Sequence, residues 1–258
     1  MEHMYKGFSL AVVNDSLTTI GGYSNDGLLN TYTNLLFTLT GSGSNRTLED
    51  NIFPPMLTHR HCHAAITTPT HLVVAGGRSL HRGVDVGIDV VEAMNTETLQ
   101  WTTVERLPRV FRHPKMTLCE GCLYVADDYF LYSCTAKKFL KSCQISRERS
   151  TITRTDGGDG SEDSMWTRLA DVPSGSNLVT LKRHLLAIGG EGTNQETSRA
   201  VLCYNRATNA WYVIPGELLI PRYDALSVCS KTNKVFVVGG YTSSWETSTI
   251  SELGDVSS

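Results

Sequence analysis

Leu185-Leu186-Ala187-Ile188-Gly189-Gly190 is a short apolar run that ends in two glycines. The same ending recurs at Leu17-Thr18-Thr19-Ile20-Gly21-Gly22, Leu72-Val73-Val74-Ala75-Gly76-Gly77 and Val235-Phe236-Val237-Val238-Gly239-Gly240. A fifth run, Leu123-Tyr124-Val125-Ala126, carries Asp127 and Asp128 where the others carry glycine. The second members of these pairs, at 22, 77, 128, 190 and 240, lie 55, 51, 62 and 50 residues apart. That period is too long for a hairpin and fits one four-stranded sheet with its turns.

Working outward, each run is short, apolar and rich in β-branched residues, which predicts a strand buried on both faces. Glycine at its end permits positive φ or a close backbone approach. A partner strand precedes each run: Ser9–Val13, Ala64–Thr67, Lys115–Leu118, Asn177–Leu181 and Ala225–Cys229. Short polar turns such as Asn14-Asp15-Ser16 join the two, so each pair reads as a hairpin. Third strands are predicted over Asn34–Leu39, Ile88–Glu92, Tyr129–Tyr132 and Ala200–Tyr204, with outer strands opening at Trp101, Trp166 and Trp211. Residues 144–164 are polar and contain Asp156-Gly157-Gly158-Asp159-Gly160. They read as a surface loop inserted into the third unit. Helical periodicity is weak throughout.

The chain has 258 residues, of which 40% are hydrophobic and 19% charged, a globular balance. A net charge of -3 lacks the basic excess of a general nucleic-acid binder. No apolar run reaches the roughly 18 residues of a membrane helix, and no secretory signal is visible at Met1–Lys6. Seven cysteines without repeating spacing suit a reducing compartment, so a cytoplasmic location is expected.

The fourth unit has thirteen residues between Gly190 and Tyr204 and six between Tyr204 and Trp211. That spacing resembles the kelch repeat of β-propellers. The second unit keeps Gly76, Gly77 and Trp101 but has Met94 at the tyrosine position. The third keeps Tyr132, with either Phe139 or Trp166 as its outer aromatic. The first keeps Gly21 and Gly22 with Phe37 near the tyrosine position, and the fifth keeps Gly239 and Gly240. The resemblance implies an all-β, kelch-type propeller of four-stranded blades in a single domain. Its units span approximately 6–58, 59–111, 112–174, 175–221 and 222–258, the last incomplete. Five units against the usual six point to an incomplete ring, as in a fragment lacking an N-terminal blade. An open ring leaves edge strands that invite self-association. The tyrosines and tryptophans read as packing residues between blades.

Chemistry is sparse. His59, His61 and His63 alternate, and on a strand they would share one side as zinc ligands do; the competing reading is a polar lead-in to a strand. Cys119 and Cys122 form a lone CxxC on a hairpin, without the context of a redox or zinc motif. Asp127 and Asp128, adjacent on a strand, would face opposite ways and not converge on a substrate. No catalytic residue, metal or cofactor is assigned.

The informative polar residues recur between units: Arg60-His61, Arg112-His113 and Arg222-Tyr223, with Lys6 in the equivalent place before the first unit and Ser174–Ser176 before the fourth. In kelch-like substrate adaptors these connecting loops lie on the face that receives a peptide. The resemblance implies that Arg60, Arg112 and Arg222 gather there to bind an acidic or phosphorylated peptide. The competing reading has these arginines bonding neighbouring carbonyls to fix one blade on the next. The expected function is therefore protein interaction, with no nucleic-acid or membrane partner. The alternatives are a kelch-like enzyme of the sugar-acid isomerase or copper oxidase type, or a structural or cytoskeletal domain.

Overall fold

Each of the five apolar runs forms the second strand of an antiparallel meander. The computed structural model describes residues 5–25, 30–42, 45–50, 52–104, 106–149, 164–192, 194, 196–230, 232–243 and 251–252. The contacts divide the chain into two compact units, 1–114 with 135–166, and 115–134 with 167–258. Among the described residues no helix is long and apolar enough to cross a membrane.

The first unit holds two four-stranded sheets. Sheet one is Ser9–Val13, Ser16–Ile20, Leu36–Thr40 and Thr47–Glu49. Sheet two is Ala64–Thr67, His71–Ala75, Val91–Asn95 and Trp101–Thr103. Between them Ile20, Leu36, Leu72, Val74 and Met94 form a sealed core. The Trp101 indole packs against it and donates to the Pro54 carbonyl at 2.9 Å.

The second unit holds three sheets. Sheet three is Lys115–Cys119, Cys122–Asp127, Phe130–Thr135 and Thr167–Arg168. Sheet four is Asn177–Leu181, His184–Ile188, Ala200–Asn205 and Ala210–Glu217. Sheet five has three strands, Leu226–Cys229, Val235–Val238 and Ser251–Glu252. Tyr204 and Trp211, with ring centroids 5.1 Å apart, help fill the junction of sheets three and four. Sheets one to four are thus four-stranded antiparallel meanders of the propeller-blade type, in a nearly all-β chain.

The structure departs from the sequence reading in four places. Residues 88–90 precede the third strand of sheet two, which runs Val91–Asn95. The chain before it is occupied by an extra ribbon, Arg78–His81 with Val84–Gly87. A second small sheet joins Tyr5–Lys6, Tyr23–Asn25 and Asn30–Tyr32. Of the two outer aromatics offered for sheet three, Trp166 is the one that precedes its outer strand, while Phe139 sits in an unforeseen helix, Ala136–Arg149. That helix takes up residues 144–149 of the predicted loop; residues 150–163 lie outside the described residues. Thr135 Oγ1 accepts from the Lys138 N–H at 3.3 Å and caps the helix start, and Phe139 and Cys143, one turn apart, are both buried.

The glycine pairs have a definite task. Both members adopt positive φ in all four copies, for example +68° and +94° at Gly189 and Gly190. The Gly22, Gly77 and Gly190 N–H groups donate to the carbonyls of Arg60, Phe111 and Arg222 at 2.8, 2.8 and 2.9 Å. A Cβ on the first glycine would meet those same carbonyls, at 2.5 Å from Gly21, 2.8 Å from Gly76 and 2.3 Å from Gly189. In sheet three the second and third strands turn tightly through Asp128-Tyr129, and Asp128 takes φ +49° as an Asp can.

Gly239 isolates the backbone part of this constraint, because its φ is also +68° but a Cβ there would meet open space. Gly239→Ala is expected to cost about 1–2 kcal/mol, the left-handed backbone penalty. Gly189→Ala should cost at least about 3 kcal/mol, because a connector carbonyl must also move. Urea denaturation of both variants checks this, and equal losses would contradict it.

Candidate functional site

The segments that connect one sheet to the next carry the candidate residues. In the first unit, Arg60 is fully buried. Its Nη1 donates to the carbonyls of Gly76 at 3.0 Å and Val90 at 2.9 Å, and its Nη2 lies 2.9 Å from Glu92 Oε1. Glu92, equally buried on the third strand of sheet two, accepts the Leu57 N–H on its other oxygen at 3.1 Å. Burial lowers the guanidinium's pKa, and the Glu92 charge opposes that shift. Buried, with Nη1 on two carbonyls and Nη2 beside Glu92, Arg60 ties its connector to the first glycine and third strand of the sheet that follows.

Arg222 repeats this in the second unit. It is 1% exposed, and its Nη1 donates to the Gly239 carbonyl at 2.9 Å. Where the fourth unit lacks a cation, Ser176 Oγ donates to the Gly189 carbonyl at 2.9 Å. One carbonyl, that of the first glycine, is thus capped from the connector in all three cases. Arg112 differs. It precedes the unit whose glycines are replaced by Asp127 and Asp128, and it is exposed, as is His113. Its aliphatic stem and that of Val110 lie where a side chain on Gly87 would be, at 2.7 and 2.6 Å from the position of a Cβ. This connector therefore rests on the ribbon strand Val84–Gly87.

His61 lies at the heart of a polar aromatic cluster in the first unit. Its ring centroid is 4.8 Å from that of Tyr23 and 5.0 Å from that of Tyr32. Its Nε2 is 3.3 Å from Asp85 Oδ1, and Arg78 Nε donates to the other oxygen of Asp85 at 2.8 Å. Burial lowers the His61 pKa, hydrogen bonding to Asp85 raises it, and the nearby His113 lowers it further. In the second unit Tyr223 pairs through its backbone with Tyr241, their rings 5.7 Å apart.

The three alternating histidines do not share a side. Cys62 takes φ +53°, which breaks the strand alternation on which that expectation stood. His59 faces the Leu80 carbonyl at 3.3 Å, His61 faces Asp85, and the His63 ring is buried with neither nitrogen hydrogen-bonded. Among the described residues no group of three or more His, Cys, Asp or Glu side chains is placed to hold a metal. Cys119 and Cys122 face each other across the hairpin as free thiols, and burial raises the Cys119 pKa. Asp127 is buried at its strand end and Asp128 is exposed in the turn.

Sequence reasoning assigned no role to Glu92, Asp85, Tyr23 and Tyr32. A carboxylate inside the apolar run Val90-Val91-Glu92-Ala93-Met94 was the available signal for Glu92, since a charge in a buried strand needs a partner.

The chain is similar to Kelch-like protein 25 of Xenopus tropicalis, with 29% identity over 174 residues that cover 66% of this chain and 27% of that protein. It therefore spans about a quarter of the length of the curated relative it matches. No family model matches the chain.

Two stability measurements test the site's construction. Arg60→Ala strands the Glu92 carboxylate and is expected to cost about 3–5 kcal/mol, most of it recovered by the double replacement Arg60→Met/Glu92→Met. His63 is held neutral by burial, with Arg60 and His61 adding to the shift, so its pKa lies well below the ordinary 6.5. Below pH 6.5 the unfolded chain takes up a proton that the folded ring refuses. Its contribution is therefore present above pH 6.5 and is lost as the pH falls toward the folded value. His63→Leu should flatten the fall in stability between about pH 7 and pH 5, and an unchanged slope would contradict the assignment.

Proposed function

We propose that this chain is a protein-interaction module that holds a carboxylate- or phosphate-bearing peptide of a partner protein on its connector segments, as the recognition part of an adaptor assembly. The exposure of Arg112 and His113 carries this reading. Arg60 and Arg222 are buried, whereas Arg112 and His113 are exposed on a connector seated against the Arg78–Gly87 ribbon. Val84 and Val110 are exposed beside them, at 61% and 45%, and supply apolar contact. A planar guanidinium suits two-point binding of carboxylate or phosphate. Arg60 and Arg222 enter the proposal as positioning residues, fixing the backbone from which His61 and Tyr223 project. The similarity to a Kelch-like protein supports the same reading.

Selection of a displayed random-peptide library on the whole chain tests it. Acidic or phosphorylated sequences should be enriched, and Arg112→Glu/His113→Glu should weaken their binding at least tenfold. The melting temperature should stay within a degree or two, because both side chains are on the surface. A selection with no acidic bias, or equal binding by the variant, would count against the proposal.

A further inference from the structure

Adjacent side chains on an extended chain point to opposite sides, yet those of His61 and Cys62 meet. The His61 Nδ1 lies 3.2 Å from the Cys62 Sγ. The cause is the left-handed backbone at Cys62, φ +53°, where its N–H donates to the Gly7 carbonyl at 2.6 Å. A side chain is rarely held in this conformation, and the surrounding structure must enforce it.

The Arg78–Gly87 ribbon does so. The His61 N–H donates to the Arg78 carbonyl at 3.0 Å, and the Arg78 N–H donates to the His61 carbonyl at 2.9 Å. The ring is held as well as the backbone. Its Nε2 is 3.3 Å from Asp85 Oδ1, and Arg78 fixes that carboxylate through its other oxygen. With Nε2–H donating to Asp85, Nδ1 is the acceptor of the ring, and it faces the thiol. Tyr23 and Tyr32 close on the imidazole from the small sheet. Burial holds the His61 pKa below the ordinary 6.5, so the ring is a neutral base at pH 7. Cys62 itself is partly exposed. A nucleophile, a base within hydrogen-bond reach and a carboxylate that orients the base are the parts that make a thiol reactive.

We propose that Cys62 is a covalent modification site for α,β-unsaturated carbonyl compounds, with His61 as its base and Asp85 positioning His61. The His61 Nδ1 takes the thiol proton, and the sulfur's electron pair forms an S–C bond to the β-carbon. The π pair of the C=C bond shifts to give an enolate, whose α-carbon then takes the proton back from the imidazolium. All atoms of both reactants stay in the adduct, and no oxidant or reductant is required. The reaction is independent of peptide binding at Arg112 and His113.

Incubation of the folded whole chain with acrylamide, an α,β-unsaturated amide, tests this, with each cysteine followed by peptide mass spectrometry. Cys122 and Cys229 are also partly exposed and serve as references within the same molecule. At pH 7 Cys62 should react about tenfold faster than either, and urea should abolish the difference. His61→Gln should bring Cys62 down to the reference rate and leave the references unchanged. The groups facing the pair are Asp85 and Arg78 of the ribbon, Tyr23 and Tyr32 of the small sheet and His113 of the next connector. The Cys62 rate should rise as the imidazole loses its proton, below pH 6.5. Asp85 raises the His61 pKa, so Asp85→Asn should move that rise to lower pH as well as slow the reaction. A Cys62 rate no greater than the references, or one unchanged in folded His61→Gln, overturns the proposal. Where circular dichroism shows a variant unfolded, the wild-type profile decides: a rise centred at about pH 8.5, that of an ordinary thiol, overturns it equally.

Discussion

The approach of a glycine pair to a connector carbonyl is the constraint on which the arrangement of sheets depends. At the end of each marked strand the chain must turn away from its sheet while its N–H reaches the carbonyl of the segment entering the next one. The carbonyl is so close that a Cβ on the first glycine would lie within 2.8 Å of it in the first, second and fourth units. Positive φ at two successive residues and the absence of a side chain are therefore required together. A side chain would be strained at both positions and would clash with the carbonyl at the first. Where the chain instead makes a tight turn within the sheet, as at Asp128, the requirement lapses and so do the glycines.

The same junction explains the arginines. Each glycine carbonyl is turned inward, and a buried carbonyl without a donor is costly. Arg60, Ser176 and Arg222 each supply a donor from the connector. Arg60 needs more than carbonyls, because a buried guanidinium without a counter-charge is unstable, and Glu92 meets that need. Serine in the fourth unit shows that the hydrogen bond, not the positive charge, is the common requirement. Arg112, beside the unit without glycines, is exposed.

The repeat and the strand pairs were legible because glycine and apolar period are local signals. The connector arginines were legible as positions but not as roles. Burial separates Arg60 from Arg112, and burial depends on what packs above a residue, which spacing does not encode. Glu92 was readable as an anomaly within an apolar strand but not as a partner for a residue 32 positions earlier. The Arg78–Gly87 ribbon carried a turn signal, Arg82-Gly83, both with positive φ, that the search for a fixed four-strand unit passed over. The helix was obscured because Phe139 stands at an outer-strand spacing from Tyr132. Its partner in burial is Cys143, one helical turn away.

The alternation that seals the junctions also limits where recognition can occur. Both faces of sheet four are committed to neighbours, so Leu185 and Leu186 have no freedom to read a ligand. Polar side chains gather where the chain leaves the sheets, at the connectors and the ribbons beyond the glycines. That is where Tyr23, Tyr32, Asp85 and Arg112 lie, and there the backbone is held by the carbonyl contacts below it. A rigid junction carrying an irregular polar crown separates stability from specificity: the glycines and buried arginines can stay fixed while the crown changes.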